Sequence, residues 1–191
     1  MITLGPQFRI GDVARSAGVA VRWRPFLLGP IFKAQGLDTS PFNIYSTKGR
    51  YMWRDVERIC EALGLPFARP EPFPQNSLTA ARLALTVEEA QRPAFTRAVY
   101  AAQFGERRQI ADKETLAAIL AAQGLDAEAH FARASSEAIK TRLKDETDEA
   151  KRLGLFGAPA FVVDGELFWG NDRLEQALRY AQRVPGPTAS N

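Results

Sequence analysis

The chain has 191 residues, enough for one domain with a sizeable core or for one domain carrying an inserted subdomain. Its net charge is +3 and its arginines are spread through the chain, which argues against nucleic-acid binding; no apolar run approaches the ~20 residues of a membrane helix. One cysteine excludes an internal disulfide and any C-x-x-C pair, and one histidine argues against a histidine-rich metal site or a Ser-His-Asp triad. The opening MITLGPQFRI lacks the basic start and apolar core of a secretory leader, so cytoplasmic residence is expected.

In chain order, Phe8, Ile10, Val13, Ala14 and Ala17 have helical spacing, closed by Gly18. Val19 to Phe26 alternates apolar and polar side chains and predicts a half-buried strand ended near Pro25. A short helix is expected around Ile31 to Ala34, and Gly36 to Thr47 reads as a loop.

From Lys48 the pattern is helical only. Met52, Val56, Ile59, Cys60 and Leu63 mark one apolar face, stopped by Gly64 and Pro66; Cys60 on that face reads as a core residue, not a nucleophile. Pro66 to Pro74 is expected to be extended. Further helices are predicted after Asn76 or Ser77, at Pro93, after Asp112, after Asp126 and after Ser136, with Thr86 and Glu89 read as a capping box. His130 falls in a short polar helix and reads as solvated.

Gly154 to Leu174 is the densest stretch. Ala158-Pro159 precedes an apolar run, Ala160 to Val163. Asp164-Gly165 is a two-residue hairpin turn signal, and Leu167 to Trp169 returns. Gly170 and Asn171 break the strand, and Asp172 with Glu175 reads as a capping box opening the last helix. Pro159 is either a strand-entry proline or a cis-proline turn whose preceding residue presents its backbone to an extended peptide. The hairpin is expected to pair with the strand at Val19 to Phe26. The whole then reads as one small α/β unit, residues 1–47 and 152–191, split by a helical insertion at 48–151.

Three pieces carry a family resemblance: WRPFLLGPIFKAQG (Trp23 to Gly36), KGRYMWRD (Lys48 to Asp55) and FGAPAFVVDGELFWGNDRL (Phe156 to Leu174). On these the chain resembles the 2-hydroxychromene-2-carboxylate isomerase family, related to kappa-class glutathione transferases and DsbA-like thioredoxin folds. The resemblance covers Phe8 to about Gln182 and implies a thioredoxin-like α/β fold with a large all-helical insertion. It implies glutathione as cofactor, with Ala158 and Pro159 forming a cis-proline turn against the cysteinyl part and Asn171 and Asp172 holding the γ-glutamyl end. The reading of Asp172 from its own chemistry is a helix cap. A further glutathione contact falls ambiguously on Leu37, Asp38 or Asn43.

The resemblance also implies a first strand ending in a Ser-Pro turn whose serine activates the thiol. Here Gly5-Pro6 stands before the first helix, and Thr3 is the nearest hydroxyl, so the activating residue is unassigned. This departure implies an N-terminally shortened chain or a compensation elsewhere. Trp23, Lys33, Tyr51 and Trp53 are candidates for a pocket taking a small aromatic carboxylate, with Arg24, Lys48 and Arg50 as further cations; each reads equally as core or solvated edge.

The implied activity is a glutathione-dependent isomerisation of a chromene carboxylate to its ring-opened trans form, in a homodimer with no metal. The alternatives are a kappa-like transferase or peroxidase, or a glutathione-binding protein without catalysis.

Overall fold

The computed structural model describes residues 5–184. Helix α1 (Gly5–Ser16) ends in a Schellman arrangement. Gly18 takes φ +66°, and the Val19 N–H reaches back to the Ala14 carbonyl at 2.9 Å. After α2 (Leu28–Ala34), Ser40 caps a short helix α3 (Pro41–Ile44), where the sequence reads as loop; its side chain accepts from the Phe42 N–H, and Pro41 occupies the first turn.

The all-helical stretch follows: α4 (Ser46–Leu63), α5 (Leu78–Thr86), α6 (Arg92–Phe104), α7 (Lys113–Ala121), α8 (Ala127–Ala134) and α9 (Glu137–Arg152). Asp126 and Ser136 cap α8 and α9, as expected from their spacing. The chain returns through the hairpin β1 (Ala160–Val163) and β2 (Glu166–Trp169), then a 3-10 turn at Asn171–Arg173 and helix α10 (Leu174–Ala181).

The hairpin is set by its turn. Asp164 and Gly165 have φ +48° and +80°, the two positive values a type I′ turn requires, and Val163 pairs with Glu166 across it. Antiparallel pairs alternate along the ladder. The backbone groups of Val163 and Phe161 therefore face β2, and those of Ala160 and Val162 face the other edge.

That edge is open among the described residues, where the sheet has only these two strands. Val19 to Phe26 is not a strand: the segment is irregular and pairs with neither. Of the side the alternation expects to be buried, Val19 and Trp23 pack on the core but Val21 is exposed, and a strand also needs a ladder partner, where this segment finds other ones. The Trp23 carbonyl accepts from Arg92 Nη1 at 3.0 Å, and the Leu27 N–H donates to the Thr147 hydroxyl at 3.2 Å. Its side chains still pack on the clusters that carry the hairpin. Val19 and Trp23 join Phe161 around Ile10, Ala14, Leu174 and Leu178. Phe26 joins Ala160 and Leu167 around Ile31, Ala150 and Leu155.

The largest cluster lies wholly within the helical stretch, built on Leu83, Leu116 and Leu120 with Phe95 and Val99. Fully burying one such side chain contributes about 1.5–3 kcal/mol. A fourth cluster, Met52, Trp53, Val56, Cys60 and Phe104, receives Phe8 from α1 and so joins that helix to the helical stretch.

Candidate active site

Three segments far apart in sequence meet at one place: the first turn of α1, the Gly157-Ala158-Pro159 turn before β1, and Gly170-Asn171-Asp172 after β2. The Ala158-Pro159 peptide is cis. The Gly170 N–H donates to the Pro159 carbonyl at 3.1 Å, extending the hairpin ladder by one rung and holding the two loops together. Gly170 takes φ +110°, which a side chain would strain. Ala158 is half-buried, and its N–H and C=O have no partner among the described residues. A main-chain donor and acceptor left open side by side are what an extended peptide pairs with.

The α1 turn closes the other side. Arg9 reaches across from α1, its Nη2 donating to the Asn171 carbonyl at 3.4 Å and its Nη1 lying 2.6 Å from Glu175 Oε1. Desolvation pushes the Glu175 carboxyl up, but Arg9 and the residue's own backbone N–H outweigh it and hold the carboxyl below its ordinary value. Glu175 is thus spent on Arg9, and no side chain caps the last helix. The expected Asp172–Glu175 capping box does not form, so Asp172 is left exposed, with only Arg173 at 3.4 Å.

Close approach explains Gly5. A Cβ there would lie 2.8 Å from Asn171 Oδ1 and 2.9 Å from Ile59 Cγ2, so the α1 turn sits directly on Asn171. Asn171 Oδ1 is buried and has no partner. Gly157 packs just as tightly on the Trp169 indole Nε1, a buried donor that is also unpartnered. Phe156 lies tilted against Trp169, ring centroids 4.8 Å apart, and is 44% exposed, an aromatic surface two residues before Ala158. The first turn of α1, with the Gln7 N–H in it, carries the positive end of that helix.

The other candidates are dispersed. Trp53 is buried in the α4 cluster, edge-on to Phe73 at 4.9 Å and under the Arg69 guanidinium; Trp23 belongs to the separate Leu174 cluster. Lys33 is exposed at the end of α2, and Tyr51 is 64% exposed. The structure does not bring these four together. Of the loop candidates, Asn43 gives its amide to Thr39 and to the Phe73 carbonyl, Leu37 is half-buried and Asp38 is exposed. Thr3 lies outside the described residues. Cys60 is 1% exposed and burial pushes its thiol up, which suits a core residue and not a thiolate.

His130 is not solvated. It is buried between α5 and α8, with Nδ1 2.8 Å from the Thr86 hydroxyl. That hydroxyl donates to the Leu83 carbonyl, so it accepts from Nδ1–H and fixes the tautomer. Thr86 is therefore the end of α5 bonded to a neighbouring helix, not the start of a capping box.

A model of the DSBA-like thioredoxin domain matches residues 7–182, nearly the whole described chain. The chain belongs to the DSBA-like thioredoxin domain family. Within that family it is 30% identical over 170 residues to the 2-hydroxychromene-2-carboxylate isomerase of Sphingobium xenophagum, covering 88% of this chain and 86% of that protein. It is 27% identical over 173 residues to glutathione S-transferase kappa 1 of Homo sapiens, covering 82% and 75%. A solved 2-hydroxychromene-2-carboxylate isomerase superposes with a TM-score of 0.82 at 26% identity, over 94% of this chain and 88% of that one. The expected thioredoxin-like fold with its helical elaboration is thus shown, mostly helical with a small sheet.

Sequence reasoning did not name Gly5, Arg9 or Gly157 for the site. Gly157 carried a signal, a glycine directly before Ala158-Pro159. Arg9 carried none, because its partners lie more than 160 residues away.

Proposed function

We propose that this family member is a glutathione-dependent isomerase of 2-hydroxychromene-2-carboxylate or a closely related aromatic carboxylate. The observation that carries the reading is the open backbone of Ala158 at the cis Ala158-Pro159 turn, with the exposed Asp172 carboxylate in the loop after β2. The fit to glutathione rests on the donor set. A tripeptide with an ammonium at one end needs an extended backbone partner, which Ala158 offers, and an acceptor for that ammonium, which the exposed Asp172 offers, with Asn171 packed under the α1 turn beside it. When bound, glutathione supplies a thiol nucleophile.

This chain's own residues do the rest. Ala158 and Pro159 would fix the peptide's direction. Arg9 holds Asn171 in place through its carbonyl. The positive end of α1 favours negative charge in front of it and needs no side chain at position 5, where there is room for none. Phe156 and Trp169 give an aromatic ring a surface to stack on.

The test is an absorbance assay of chromene carboxylate isomerisation with and without glutathione; absence of glutathione-dependent turnover sinks the proposal. Asp172→Asn is expected to weaken glutathione by roughly ten- to a hundredfold, since a charge-assisted bond contributes about 1.5–3 kcal/mol. The kappa-class relatives motivate a second reading, thiol conjugation. Turnover of an aromatic halide in place of the chromene would establish it.

A further inference from the structure

The two ends of the candidate site are anchored separately. At the Ala158-Pro159 turn the anchor is main chain, the Gly170 N–H on the Pro159 carbonyl at 3.1 Å. Asn171 and Asp172 lie beyond that rung, past the positive φ of Gly170, in a 3-10 turn that no side chain caps. The turn has bonds of its own: the Arg173 N–H donates to the Gly170 carbonyl at 3.2 Å, and the Leu174 N–H donates to the Asn171 carbonyl. Those bonds hold its shape but do not fix its direction relative to α1.

Arg9 supplies that tie. Among the described residues it is the one side chain from outside the turn that bonds to it, through Nη2 on the Asn171 carbonyl at 3.4 Å. Its Nη1 is fixed on Glu175 Oε1 at 2.6 Å, so the guanidinium spans α1, the turn and α10. A planar fork makes two such contacts at once, which the point charge of a lysine does not. Folding has little need of the clamp. Arg9 and Glu175 are 28% and 43% exposed, and an ion pair that wet adds little to stability. Ile10, Ala14, Leu174 and Leu178 already join α1 to α10. What the clamp governs is the next residue, Asp172, an exposed carboxylate with only Arg173 beside it at 3.4 Å.

With glutathione as the ligand, as proposed for this site, we infer that Arg9 is a positioning residue that sets selectivity for the γ-glutamyl group. It holds the Asn171–Asp172 turn against α1, so that Asp172 meets the ammonium of the peptide whose thiol lies before the positive end of α1. The Ala158 turn does not depend on Arg9, because its anchor is the Gly170 rung. Loss of Arg9 therefore weakens one end of the ligand and spares the other.

Calorimetry with glutathione and with cysteinylglycine, the same peptide without its γ-glutamyl group, reads the two ends apart. The wild type is expected to prefer glutathione. Arg9→Met should reduce that preference about tenfold, the step from a held charge-assisted bond to an ordinary exposed ion pair. Cysteinylglycine should bind as before. Arg9→Lys keeps the charge beside Glu175 and should lose part of the preference at an unchanged Tm. Arg9→Met combined with Glu175→Gln restores the net charge and should not restore the preference. Equal weakening of both peptides, a preference kept by either Arg9 variant, or its return in the double variant overturns the role of Arg9 and leaves the glutathione reading standing. A wild type that does not bind glutathione overturns both.

Discussion

Arg92 is the most informative single position for stability. Its side chain is buried, 4% exposed, and no carboxylate pairs with it among the described residues. Instead Nε donates to the Ala84 carbonyl at 2.8 Å, Nη1 to the Trp23 carbonyl at 3.0 Å and Nη2 to the Val87 carbonyl at 3.5 Å. Ala84 lies in the last turn of α5 and Val87 just beyond it, where carbonyls lack helical donors and a cation is favoured. Burial, with Arg142 adding to it, draws the guanidinium pKa down, so holding this charge has its own cost.

Replacing Arg92 by Met keeps the stem and removes the charge. The two short bonds are each worth about 1.5–3 kcal/mol as charge-assisted bonds. Relief of guanidinium desolvation, itself several kcal/mol, offsets part of that gain. The net loss expected is about 2–3 kcal/mol, or a fall in Tm of about 5–10 °C for a chain this size. Urea unfolding followed by circular dichroism reads it as a lower midpoint at unchanged slope. A loss below about 0.5 kcal/mol, the range of ordinary surface substitutions, would refute the reasoning that these carbonyls depend on Arg92.

Gly157→Ala should cost about 1–3 kcal/mol by forcing Trp169 aside, and should weaken glutathione binding in calorimetry because Trp169 backs the Ala158 turn. His130 is held below the ordinary imidazole value by burial first and then by Arg133, with Asp126 opposing. Its neutral form is the folded one, so its contribution is present above the unfolded value near ~6.5 and is lost as pH falls below that toward the folded value. His130→Asn keeps a donor toward Thr86 and should flatten the fall in denaturation midpoint between neutral and mildly acidic pH; an unchanged slope would assign the effect to other groups.

What was legible in the sequence was local. Asp164-Gly165 sets a turn within its own residues, and Asp126 and Ser136 cap helices through N–H groups three positions on. Most of the misread features depend on distant partners; α3, read as loop but capped locally by Ser40, is the exception. Val19 and Trp23 pack on the core while Val21 between them is exposed, so periodicity caught part of the burial; the missing ladder neighbour is a tertiary fact. Asp172 and Glu175 have capping spacing, but Arg9 takes Glu175 from the other end of the chain. His130 looks polar in sequence, and Thr86, 44 residues earlier, is what buries it. At the candidate site, the cis Ala158-Pro159 turn was legible from the residues before the hairpin and Asn171 and Asp172 were named through the family resemblance, whereas Gly5 is recognisable only by the space it leaves.

The cluster enclosed by the helices has a consequence for the order of assembly. All its buried members fall between Ala80 and Ala134, so it closes over short loops. The cluster under the active-site hairpin instead joins Ile10 and Ala14 to Leu174 and Leu178, across nearly the full chain. The helical stretch can therefore consolidate first, and the hairpin with its open edge is completed on a finished platform. Hydrogen exchange is expected to retain Leu83, Leu116 and Leu120 amides longest and to release those of β1 and β2 early. The end of the molecule that carries the candidate site is then also its most readily reopened part, poised over a body that stays folded beneath it.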